Sequence, residues 1–204
     1  YVFYNKKVYV NIIIMEKNKI NNLNSYEVDI EKLSPGMKQY INIRRKTKPD
    51  IILLYRMGDF YETFFEDAIT ISRDLDIVLT SRDAGKIGKV PLAGIPVKSV
   101  DVYVAKLLEK GRKIAVCEQL EKPEDAKGII KRDIVKTITA GTLTDDNLLV
   151  SNSNNYLASI WEDEKTGLFG FAYTDISTGE FKCTQANLNQ LMAELSRISP
   201  AEIL

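Results

Sequence analysis

The sequence predicts an α/β fold in which a mixed β-sheet is packed by helices. Three observations carry that reading. Short, β-branched apolar runs bounded by Gly and Pro alternate with longer stretches of 3.6-residue apolar periodicity, the marks of strands and amphipathic helices. The alternation is too irregular for a doubly wound parallel sheet, which leaves a mixed one. With 204 residues, 45% hydrophobic and 27% charged, the chain has an ordinary globular composition and is long enough for one large or two small domains.

Residues 1–32 read as an N-terminal extension, non-native or flexible, with Met15 the expected start of the biological chain. Ser34-Pro35 opens a helix, Ser as N-cap and Pro at the first helical position. Met37, Tyr40 and Ile41 follow at helical spacing. The basic run Arg44-Arg45-Lys46 suits the C-terminal end of the helix dipole, and Pro49 ends the element. Ile51 to Tyr55 is a buried strand, and Gly58-Asp59 a turn. Glu66 to Leu75 is an amphipathic helix with Ala68, Ile71 and Leu75 inward. Ile77 to Thr80 reads as a strand, residues 81–90 as a mobile basic loop, and Pro91 to Pro96 as a stiff connector. Ser99 caps a helix with Val100, Val104, Leu107 and Leu108 inward, closed by Gly111. Strands follow at Lys113 to Glu118 and Ile129 to Thr139, separated by a charged loop. Residues 141–155 form a polar linker. Beyond it, strands at Tyr156 to Trp161, Leu168 to Tyr173 and Glu180 to Thr184 lead into a helix from Leu188 to Ile198, the beginning of a second unit whose core reads as incomplete.

Several function classes are excluded by composition. The chain has no histidine, so imidazole bases and His-ligated metals are absent from its chemistry. Cys117 and Cys183 stand far apart and outside any C-x-x-C pattern, which suits a reducing compartment. No apolar run approaches the roughly 18 residues of a spanning helix. Gly85-Lys86 and Gly88-Lys89 lack the following Ser or Thr and the glycine spacing of a phosphate loop. Without a nucleophile, base and orienting group, a small-molecule enzyme has no candidate catalytic residue. Net charge is zero, yet residues 33–140 hold 20 basic against 15 acidic side chains and residues 141–204 hold 3 against 9. The basic middle is the better candidate for a polyanion.

One stretch asks for a functional explanation. Just past the Gly58-Asp59 turn, Phe60 and Glu62 fall on the same face if the chain is extended, an apolar wedge beside a hydrogen-bond acceptor. From the residues alone, the competing reading is that Phe60 is a core ring beside Phe64 and Phe65, with Glu62 a solvated strand position.

Five segments, in order, are similar to the N-terminal part of the MutS family of DNA mismatch-repair proteins. They are Ser34-Pro35-Gly36-Met37-Lys38-Gln39-Tyr40, Tyr55-Arg56-Met57-Gly58-Asp59-Phe60-Tyr61-Glu62, Pro91-Leu92-Ala93-Gly94-Ile95-Pro96, Val116-Cys117-Glu118-Gln119 and Gly141-Thr142-Leu143-Thr144-Asp145. The resemblance implies a mismatch-binding domain over 33–140, a linker over 141–155 and, over 156–204, the N-terminal part of an RNase H-like connector domain. It implies that Phe60 enters the minor groove and stacks on a mispaired base, while Glu62 hydrogen-bonds to it. An apolar ring can wedge a base step at the cost of unstacking, which is smaller where pairing is defective. A carboxylate is repelled by phosphates, so its place there makes sense only as a specific acceptor. Arg56, Lys86, Lys89 and Lys98 are the candidates for DNA-backbone contacts, although their charge also suits solvated surface.

Two departures stand out. Val97-Lys98 replaces the family's frequent aromatic-His pair, and Ala140 replaces a Pro. Family membership also implies double-stranded DNA with mispairs or small loops as the partner, a homodimer in the full-length protein, handover to MutL, and a bacterial cytoplasmic, nucleoid-associated location. ATP and Mg belong to a C-terminal ATPase that these residues lack, so this segment is expected to be no enzyme and to carry no cofactor, metal or catalytic residue of its own. The alternative is a MutS-like scaffold for recombination or protein interaction without mismatch reading, against which the intact Phe60/Glu62 pair argues.

Overall fold

The computed structural model describes residues 24–143 and 153–204. Two compact units emerge: residues up to Lys98 together with Ala115–Val135, and Ser99–Ile114 together with Lys136–Leu204. Both are built from strands and helices, so the expected mixed α/β class holds. Met15 and residues 1–23, as well as 144–152 of the expected linker, lie outside the described residues.

The larger sheet has six strands in the order β3-β4-β2-β1-β5-β6. They are β1 (Ile51–Met57), β2 (Phe60–Phe64), β3 (Thr80–Asp83), β4 (Lys89–Pro96), β5 (Lys113–Gln119) and β6 (Arg132–Ile138). Helix α1 (Pro35–Arg44) begins where Ser34 and Pro35 predict. Ser34 holds the N-cap backbone conformation but makes no side-chain cap bond; its carbonyl accepts from the Lys38 amide at 2.8 Å. Tyr40 seats α1 on the sheet, its ring edge-on to Tyr55 at 5.3 Å and to Phe64 at 4.8 Å between centroids, the geometry aromatic pairs prefer. Helix α2 (Phe65–Leu75) packs against β2 and β4. It follows β2 with no loop. Phe65 makes that corner at φ +55°, a left-handed conformation costly for a bulky residue and held here by complete burial.

Residues 24–32 of the expected extension pack onto this unit. Val28 joins its core, and the Ser25 amide donates to Glu66 at 3.2 Å.

Residues 77–96 depart from expectation. The strand starts three residues later, at Thr80, and the supposed loop and connector form an antiparallel β3–β4 hairpin. Its turn closes through the Ala84 amide to the Gly88 carbonyl at 2.9 Å. Pro91 and Pro96 argue against a strand because proline has no N–H for the ladder. The register resolves the conflict. β3 pairs with residues 89–92 of β4 and β2 with residues 92–96, so the two neighbours overlap only at Leu92. Pro91 lies beyond the reach of β2 and Pro96 beyond that of β3, leaving each with one neighbouring strand.

In the second unit, helix α3 (Val100–Glu109) has Val104, Leu107 and Leu108 buried, as its periodicity predicts, whereas Val100, also expected inward, is only half-buried. A four-stranded sheet has the order β10-β7-β8-β9, from β7 (Tyr156–Asp163), β8 (Leu168–Asp175), β9 (Glu180–Ala186) and β10 (Glu202–Ile203). β10 lies parallel to β7, and at two residues it is too short to leave a periodic signal. Helix α4 (Leu188–Ile198) opens with a capping box, Asn187 and Gln190 each accepting the other's amide at 3.0 Å. Its Leu191 and Ile198 close a core with Ala158, Phe171, Tyr173 and Ala186. Among the described residues, no helix is long and apolar enough to cross a membrane.

Candidate nucleic-acid interface

The β1–β2 hairpin positions the candidate pair. Met57 pairs with Phe60 and Tyr55 with Glu62, leaving Gly58-Asp59 as a two-residue turn. Gly58 takes φ +59° at the first central position, which matches the strand twist and favours glycine there. The Asp59 carbonyl accepts from the Val97 amide at 2.9 Å, tying the turn to the end of β4.

Along β2 the alternation puts Phe60, Glu62 and Phe64 on one face and Tyr61 and Thr63 on the other. Their environments differ. Phe64 and Phe65 are core residues, whereas the Phe60 side of the turn is open and the residue is 46% exposed. The reading of Phe60 as a core ring therefore fails, because the strand carries it past the edge of the core.

Beneath Phe60 and Glu62 lies Gly94 of β4, paired directly with Glu62. A Cβ built there would lie 3.6 Å from Phe60 Cδ1 and 3.9 Å from Glu62 Cγ. The missing side chain leaves open the floor between ring and carboxylate.

Glu62 has a partner that sequence reasoning did not identify. Arg82 of β3 donates from Nη1 to Glu62 Oε2 at 2.6 Å. The Glu62 side chain is 19% exposed and that of Arg82 42%. Arg82 pairs with Val90, four residues along β4 from Gly94, and all three share the Glu62 face. Its side chain thus spans the sheet diagonally. Reading residues 80–96 as a hairpin about Gly85 and Gly88 would have placed it there.

The predicted backbone-contact residues do not form one cluster. Arg56 braces the turn from within: Nε donates to the Gly58 carbonyl, the guanidinium lies 5.4 Å from the Tyr61 ring centroid, and Nη1 is 3.8 Å from Glu118. The Tyr61 hydroxyl donates to Glu118. Burial, and then that bond, push the Tyr61 phenol up to about 12, so Tyr61 remains a donor at neutral pH. Lys98 is exposed in the short 3-10 turn after β4, two residues beyond the partner of Phe60. Lys86 and Lys89 are exposed at the hairpin turn at the opposite end of β4, about 20 Å from Pro96 at the usual strand rise.

Comparison with known proteins identifies the family. A family model of MutS domain I matches residues 34–147, and one of MutS domain II matches residues 155–204. Three proteins called DNA mismatch repair protein MutS are similar to the chain. That of Dehalococcoides mccartyi is 49% identical over 175 residues, that of Symbiobacterium thermophilum 48% over 183, and that of Methanothrix thermoacetophila 49% over 174. The alignments cover 86%, 87% and 85% of this chain, respectively. In each case the chain spans about 20% of the relative's length. With its first matched segment alone covering more than half of its residues, this chain belongs to the MutS family.

Proposed function

We propose that this chain reads mispaired or unpaired bases in duplex DNA, with Phe60 as the wedge and Glu62 as the hydrogen-bond acceptor. The observation that carries the reading is the exposed Phe60 ring on the Glu62 face, in a unit whose other aromatic rings on β1 and β2 are buried. An exposed ring next to an acceptor, on a rigid hairpin rather than a loose loop, can enter a base step and test whether the stack yields. Unstacking costs a few kcal/mol and is cheapest at a defective pair. The protein thereby reads weakness in the duplex, not sequence. Glu62 adds discrimination of about 1–3 kcal/mol, the usual scale for a changed base pair.

Membership of the family supplies the wider setting for this proposal. The DNA partner carries mispairs or small loops, the intact protein is a homodimer that hands over to MutL, and it works in the cytoplasm at the nucleoid. ATP and Mg act in a domain outside this chain, which turns over no ATP by itself. The test is equilibrium binding of the intact protein to G·T, unpaired-T and matched duplexes, for wild type and Phe60→Ala. Wild type should prefer the defective duplexes and Phe60→Ala should not. An equal preference in both proteins would sink the wedge, and no preference in wild type would favour a scaffold role.

A further inference from the structure

We infer that Arg82 is a positioning residue for Glu62, holding its carboxylate in the free protein and exchanging it for a DNA phosphate when Glu62 engages a base. The inference rests on the base-reading role proposed for Glu62. It starts from the 2.6 Å ion pair between Arg82 Nη1 and Glu62 Oε2. No other hydrogen bond or ion pair of either side chain is found among the described residues. Arg82 also borders a cavity of about 290 Å³ together with Tyr55, Met57 and Phe64, so the apolar stem has a surface to lie along while its charged end reaches Glu62.

Charge and exposure both favour an exchange at this pair. A carboxylate beside a DNA-facing ring meets a strongly negative potential, and a guanidinium next to it offsets the repulsion until a base is in reach. The pair is also partly exposed, and such pairs contribute little net stability, so it opens readily. Once Glu62 turns to a base, Arg82 is left as an uncompensated cation at the DNA surface. Its planar fork suits a phosphate. On matched DNA Glu62 finds no base acceptor role, and the pair stays closed. Arg82 therefore neutralises a phosphate in the mismatch complex only.

This predicts a specific salt dependence. In the intact protein, the slope of log K against log salt should be steeper for G·T than for matched duplex by about one, the release expected for one additional phosphate contact. Arg82→Ala should remove that difference and weaken mismatch preference several-fold while leaving Tm unchanged. Arg82→Lys should keep the difference in slope and restore only part of the preference. Glu62→Ala should strengthen matched-DNA binding by freeing Arg82, and this gain should vanish in Glu62→Ala/Arg82→Ala. Equal loss of affinity for both duplexes in Arg82→Ala, with the slope difference intact, makes Arg82 an ordinary backbone contact and overturns the exchange. So does a gain from Glu62→Ala that survives without Arg82. If Glu62→Ala alone keeps full discrimination, it is the base-reading role that fails, a separate outcome.

Discussion

Phe60 and Phe64 stand four residues apart on one face of β2, the first 46% exposed and the second 2%. The same residue type therefore has two uses on one strand, and substitution should separate them. Phe64→Ala empties a packed site against Tyr40 and should cost about 3–5 kcal/mol of stability. Phe60→Ala should cost less than about 1 kcal/mol yet abolish preference for a mispaired duplex. Denaturant unfolding and duplex binding on the same two variants check this. A large loss of stability from Phe60→Ala would mean that the ring supports the fold after all.

Glu62→Ala should reduce discrimination while matched-duplex affinity rises, since the variant releases Arg82 from its ion pair to meet a phosphate. The corresponding loss is about 1–3 kcal/mol of mismatch preference. Competition binding with matched and G·T duplexes measures both quantities at once. A uniform drop in affinity would instead assign Glu62 a structural role.

How far this site is legible in the sequence depends on the range of the interaction involved. The β1–β2 turn and the shared face of Phe60 and Glu62 are local, encoded by Gly58 and the period of two, and both are present in the structure. The β3–β4 hairpin escapes because its prolines are excused only by a stagger between neighbouring strands. Arg82 is hidden with it: across 20 residues of sequence, nothing local says that an arginine in an apparent loop will meet Glu62. Arg44 shows the same limit from the side of burial. It stands in the last turn of α1, where a basic residue suits the dipole, but its complete burial is set by the tertiary fold and leaves no local signal.

Gly94 offers a test in which stability and function should move apart. Its backbone is not left-handed, and an added Cβ meets its neighbours at ordinary contact distances. Gly94→Ala should keep stability or raise it by up to about 1 kcal/mol, through the unfolded-chain entropy it removes. The methyl group would nevertheless stand between Phe60 and Glu62, and mismatch preference should fall. Gly85→Ala is the contrasting control. At φ +104°, with a Cβ only 2.7 Å from the Ser34 amide nitrogen, it should destabilise the protein. Unchanged preference in a stable Gly94→Ala variant would show that the open floor is not used.

Arg44 and Asp67 form a buried ion pair with consequences for stability. Arg44 Nε lies 3.0 Å from Asp67 Oδ2 without an aligned hydrogen bond, while Nη2 donates to Oδ1 at 3.1 Å. The guanidinium also reaches the carbonyls of Lys48 and Pro49, and Asp67 accepts the Leu53 amide at 3.0 Å. Asp67→Ala removes the nearer of two carboxylates from a buried cation, the other being Glu66 at 3.8 Å, and should cost up to about 3–5 kcal/mol. The pair should also titrate. Burial pushes the Asp67 carboxyl up to about 7, against the pull of Arg44 and the Leu53 amide; its value in the unfolded chain is about 3.9. Between those values the folded state binds the extra proton. The contribution of Asp67 to stability is thus fully present below about pH 4 and declines as pH rises towards 7. Unfolding free energies of wild type and Asp67→Asn, measured across that range, should show the wild-type advantage shrinking by an amount on the order of a few kcal/mol. An advantage that grows with pH would mean that Arg44 dominates and keeps Asp67 ionised throughout.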